Sequence, residues 1–104
     1  MAMIRRGTTP TLIFEFEENL EDYDIAELYV TFAQRDIVFL ELDLDSVTIE
    51  SNVLQLKLTQ EETLKIMPYV LVAIQIRMKD VDDNAYATEL MYVDAEQVLK
   101  GGVI

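Results

Sequence analysis

From Tyr69 to Lys79 the chain alternates strictly, with Val70, Val72, Ile74, Ile76 and Met78 on one face and Tyr69, Leu71, Ala73, Gln75 and Arg77 on the other. Side chains on a strand repeat every two residues, whereas a helix sets its apolar positions three and four apart. The stretch is rich in β-branched residues, which suit a pleated surface. It predicts a central strand, dry along one side, around which the other elements pack.

The same period recurs along the chain. Thr11 to Phe16 puts Leu12, Phe14 and Phe16 on one side and predicts an edge strand, where Pro10 at its start costs no ladder bond. Glu17 to Ile25 is an acidic connection in which Asn19 is placed to cap one helical turn. Glu27 to Gln34 turns Leu28, Val30 and Phe32 inward, and Ile37 to Leu44 does the same with Val38, Leu40, Leu42 and Leu44. Arg35 and Asp36 lie between these two runs and predict a tight hairpin, although neither is the glycine that such turns prefer. Val47 to Glu50, a Ser51-Asn52 turn and Val53 to Leu58 predict a second hairpin, with Leu54, Leu56 and Leu58 inward.

Two segments break the alternation. Thr59 to Met67 carries Thr59 and Glu62 at capping-box spacing and is stopped by Pro68, so it predicts a short helix crossing from one sheet to the other. Ala85 to Val93 reads as a strand whose phase is open, because two alternating sets compete for the inside; a bulge would reconcile them. Outside the strands, Met1 to Thr9 reads as a polar arm with a turn or bulge at Gly7, and Asp94 to Ile104 as a tail that is disordered or held by a partner. Together these predict an all-β fold: a two-sheet antiparallel β-sandwich, Ig-like, of about seven strands with one short helix. Residues 1–104 are read as a single domain, which at this length removes roughly 65% of its unfolded surface from water.

Composition narrows the chemistry. The chain has no cysteine and no histidine, which excludes disulfides, thiolate metal sites, the usual general base near neutral pH and every Ser-His or Cys-His nucleophile. The missing cysteines fit a reducing compartment. No apolar stretch follows Arg5 and Arg6, and none is long enough to span a bilayer, so a soluble protein without a cleavable signal peptide is expected. Formal net charge is −12, and Glu15 to Asp45 holds eleven carboxylates against Arg35 alone. Such a surface repels nucleic-acid backbone and anionic lipid and favours a basic partner, although its plainest reading is a solvated face.

Candidate sites weaken when their surroundings are read. Asp80, Asp82 and Asn84 begin like a calcium loop, but Ala85 stands where glycine is required and Met91 where a bidentate glutamate belongs. An acidic hairpin tip is the simpler reading. Glu41 with Asp43, or Glu17 with Glu18, are carboxylate pairs of the kind glycosidases use, yet nothing else supports acid-base chemistry. No catalytic, cofactor-binding or metal-binding residues are expected. Recognition is the remaining use: the amphipathic rings of Tyr23, Tyr29, Tyr69, Tyr86 and Tyr92 suit a recognition surface or, more commonly, the rim of a core. Arg5 and Arg6 in the arm, Tyr23 and Tyr29, and the apolar Val103 and Ile104 of the tail are the candidate partner-binding residues.

Ile4 to Phe16 (IRRGTTPTLIFEF), Leu28 to Gln34, Leu56 to Thr63 and Ile74 to Arg77 carry a resemblance. Across most of the chain they are similar to a family of small prophage-encoded proteins of Firmicutes. More loosely, they resemble the N-terminal domain of baseplate upper proteins from tail-bearing phages of lactic bacteria. One departure is the Arg35-Asp36 turn, where the family pattern has glycine or asparagine. The resemblance implies a non-enzymatic structural or attachment module. It would dock to other tail or baseplate proteins or to itself, without cofactor, nucleic acid or membrane, in the host cytoplasm and the assembled virion. The alternative is an acidic decoy that mimics nucleic acid and occupies a basic host enzyme.

Overall fold

The computed structural model describes residues 3–104. Met1 and Ala2, the start of the expected arm, lie outside the described residues. Among the described residues nine strands run in chain order: β1 Met3–Arg5, β2 Thr11–Glu15, β3 Ile25–Gln34, β4 Ile37–Asp43, β5 Val47–Glu50, β6 Val53–Lys57, β7 Val72–Asp80, β8 Ala85–Ala87 and β9 Met91–Glu96. One helix, α1 (Gln60–Leu64), and two 3-10 turns complete the set.

The strands form two sheets. One has the order β1-β9-β7-β3-β4 with β8 also on β7, and the other β2-β6-β5. Each of the connections β2 to β3, β4 to β5 and β6 to β7 crosses between sheets, the last through α1. The fold is all-β and Ig-like: β9, β7, β3 and β4 take the order G-F-C-C′, and β2, β6 and β5 the order B-E-D. Every pairing is antiparallel except β1 with β9, which is parallel.

The predicted central strand lies between β3 and the β8–β9 segment, with Val72, Ile74 and Ile76 at 0–2% exposure. It begins at Val72 and not at Tyr69, because Tyr69 has φ 65° and turns the chain before the ladder starts. Val70 is therefore only half-buried and lies outside the strand. Leu28, Val30 and Phe32 of β3, Leu54 and Leu56 of the opposite sheet, and Leu58 just after β6 meet this face, all at 0–1% exposure. Burying a side chain of this size contributes about 1.5–3 kcal/mol, so no disulfide is needed to hold the layers together.

Three further expectations need correction. Met3–Arg5 of the polar arm is a strand: Ile4 is 1% exposed and pairs with Ala95, so an apolar residue between Met3 and Arg5 anchors it. Gly7, with φ 73°, then turns the chain towards β2. Val38 is 56% exposed, because the pairing shifts from Phe32–Leu40 to Ala33–Val38 and leaves Phe39 as an extra residue. Phe39 packs against the core in its place, 6.3 Å from the ring of Phe32, and Val38 moves to the outer face. The expected tail starts too early, since Asp94 to Glu96 belong to β9 and pair with β1; beyond it, Ile104 N–H donates to Gln60 Oε1 at 2.9 Å.

Other local readings match the structure. Asn19 caps the turn Leu20–Asp22, and Thr59 and Glu62 form a reciprocal capping box on α1. Arg35 and Asp36 both have positive φ, 51° and 64°, as a two-residue hairpin turn of the primed type requires. The last strand divides where Thr88, Glu89 and Leu90 stand opposite only Gln75 and Ile76, which is the expected bulge. Thr88 fills the gap, its N–H donating to the Ile76 carbonyl at 2.9 Å and its Oγ1 accepting from Ile76 N–H at 3.1 Å.

Candidate docking surfaces

On one side of the sandwich the two sheets do not close. Beside β2 the structure places no further strand, and its outer edge is unpaired among the described residues. Pro10 accepts from Leu58 N–H and Phe16 N–H donates to Asn52, each at 2.9 Å, so even-numbered residues bond inward to β6. By antiparallel alternation, Thr11, Ile13 and Glu15 turn their N–H and C=O groups to the free side. Below this edge lies a groove of about 780 Å³ floored by Phe14, Phe16, Ile76, Met78 and Met91. Its rim carries Glu15, Glu17, Glu18 and Glu89, and among the described residues no lysine or arginine lines it.

Tyr23 and Tyr86 shape one end of the groove. Their rings meet edge to face, 5.3 Å apart at 74°, and the Tyr23 hydroxyl donates to the Glu18 carboxylate. Such a pair adds about 0.5–1.5 kcal/mol beyond the area it buries.

The second surface is the outer face of the larger sheet. Tyr92 pairs with Ala73, Ala73 with Ala33, and Ala33 with Val38, so one row of apolar residues crosses four strands. Tyr92 and Val38 are 50% and 56% exposed, and the two alanines between them leave the row low in the middle. Leu71, just before β7, is also 50% exposed. Farther along the same face the rows become polar and then charged: Gln75–Thr31–Glu41, then Arg77–Tyr29–Asp43. There the Tyr29 hydroxyl donates to Glu27 at 3.4 Å, and the negative charge of Glu27 is the first cause of its raised pKa. Lys79 bridges Glu27 at 3.2 Å and Asp83 at 3.4 Å, pairs too exposed to add much stability.

The six residues singled out from the sequence do not form one site. Arg5 and Arg6 grip Gln97, Arg5 Nη1 donating to its carbonyl and Arg6 Nη1 to its Oε1, each at 2.7 Å. Arg6 Nη2 also donates to the Leu64 carbonyl at 3.1 Å, at the C-terminal end of α1 where a cation is favoured. Both arginines thus fasten the first strand to the last. Val103 and Ile104 stand exposed on the Gln60 side of α1, Tyr23 closes the groove, and Tyr29 lies on the polar part of the outer face. The groove floor and the row through Ala33 and Ala73 escaped the sequence reading. The available signal for the row was alanine at outward positions of two neighbouring strands.

The Asp80 hairpin spends its carboxylate locally. Oδ1 accepts from Asp82 and Asn84 N–H at 3.0 and 2.9 Å, and Oδ2 from the Asn84 side chain at 3.1 Å. Among the described residues no three acidic, histidine or cysteine side chains group to hold a metal ion, and no helix is long and apolar enough to cross a membrane. A comparison with family models returned no match, and searches of curated proteins and of solved structures returned none either.

Proposed function

We propose that the domain is a non-enzymatic docking module of a phage tail or baseplate, binding other protein chains of the assembly. The observation that carries this is the Tyr92–Ala73–Ala33–Val38 row, an apolar strip, low in the middle, on an outward sheet face. Contiguous apolar surface rimmed by polar residues marks interaction sites, and tyrosine is enriched in them. The lack of cysteine and histidine supports a binding role over catalysis. The assignment to a tail assembly rests on the resemblance to prophage and baseplate proteins. It places the chain in the host cytoplasm during assembly and in the virion afterwards.

The decoy reading calls for an unbroken line of carboxylates at phosphate-like spacing. On the outer face Arg77 stands next to Tyr29, and Lys79 bridges Glu27 and Asp83, so the acidic rows are interrupted. Docking is the better supported of the two.

The test is a photo-crosslinker placed at Tyr92, with Thr48 of the smaller sheet as control, in the chain expressed together with proteins encoded beside it. Adducts confined to the Tyr92 position are expected. A strictly monomeric chain without adducts, absent from virion fractions, would overturn the proposal.

A further inference from the structure

We infer that the open edge of β2 receives an extended strand from a different, basic protein, apolar residues entering the groove and alternate lysines or arginines meeting the carboxylate rim. The inference rests on the docking reading and adds a second surface, a binding mode and the partner's chemistry. Three observations converge on it. Thr11, Ile13 and Glu15 present unpaired backbone donors and acceptors, the template that strand addition uses. Directly below them the groove offers about 780 Å³ over an apolar floor. A strand sends alternate side chains to opposite sides, so a five-residue segment about 17 Å long would place two or three residues there.

Charge selects the occupant. Glu15, Glu17, Glu18 and Glu89 surround the opening without any cation among the lining residues, so an incoming strand with lysine or arginine relieves their mutual repulsion. A second copy of this chain is the wrong partner. Each copy carries −12, and its own β2, Thr11–Glu15, would bring a glutamate and no lysine or arginine to the opening.

The test uses the full chain and two fluorescent nonapeptides, one alternating lysine and valine and the other glutamate and valine. The lysine peptide is expected to bind saturably, more weakly as salt rises, with amide shifts centred on Thr11 to Glu15. Ile13→Pro removes one outward N–H at an edge position where proline is tolerated, and should weaken binding about tenfold while the rest of the amide spectrum is kept. The exposed double variant Glu15→Arg with Glu17→Arg leaves the core untouched and should reverse the preference towards the glutamate peptide. Equal binding of the lysine peptide by Ile13→Pro, failure of the charge reversal, or self-association through β2 would each overturn the inference. Crosslinking through Tyr92 reports on the docking reading separately, so either claim can fail while the other stands.

Discussion

The side-chain amide of Gln34 and the backbone of Met67 are bonded in both directions: Met67 N–H donates to Oε1 and Nε2 donates to the Met67 carbonyl, each at 2.8 Å. Nε2 also donates to the Val70 carbonyl at 2.9 Å, and Gln34 is 2% exposed. One side chain at the end of β3 therefore satisfies three backbone groups of the link between α1 and β7. Gln34→Leu keeps the volume and orphans them. The expected cost is roughly 2–3 kcal/mol, read as a lower urea midpoint with unchanged slope. A loss below about 0.5 kcal/mol would mean that water replaces the amide.

The turn that follows is made by residues that do not favour it. Arg35 and Asp36 hold φ at 51° and 64°, in the left-handed region where a Cβ is strained. Arg35→Asn with Asp36→Gly supplies the preferred pair for a primed turn and should stabilise the domain by about 1 kcal/mol. Thermal melts and urea curves would check it. No gain would place compensating contacts of the Arg35 side chain in the native state.

The turn shows how far the sequence was legible. Periodicity and turn residues located seven strands, the three hairpins, the capped helix and most of the inward faces, because those features are local. Three others were hidden. Phe39 is a bulge, and an inserted residue reverses the faces without leaving a mark on an alternating run. Ile4 sits between Met3 and Arg5, too short a strand to show a period, and it is a strand only because β9 lies alongside. Gln34 continues the inward series of Leu28, Val30 and Phe32, so a polar residue at a core position was the available sign of a buried hydrogen-bond hub. The groove could not be read at all, since it depends on which strand lacks a neighbour across two sheets.

The bulge also has a consequence for the proposed interface. Because Val38 lies outward at 56% exposure, Val38→Lys should alter folding stability by no more than about 0.5 kcal/mol. It should nonetheless abolish the Tyr92 crosslinks, since the new ammonium would have to be desolvated in any contact across the row. Urea unfolding and crosslinking of the same preparation separate the two effects. A loss above about 1.5 kcal/mol would reassign Val38 from interface to core.

Asp80 gives a pH dependence whose sign is fixed by its bonds. The Asn84 backbone N–H is the largest cause of its lowered pKa, with the Asn84 side chain and Asp82 N–H adding to it against partial desolvation. All three donors favour the ionised carboxylate, so the folded state titrates below the unfolded one. The stabilisation is complete above the unfolded aspartate value and is lost as pH falls through the lower, folded value. Amide protection at Asp82 and Asn84 should therefore decline only at acid pH, below about 4, with the hairpin tip opening before the sheets. Asp80→Asn should remove that acid step and leave protection at Val72 and Ile74 unchanged. A carboxyl titration midpoint for Asp80 at or above the ordinary aspartate range would show that the turn does not hold the carboxylate in this way.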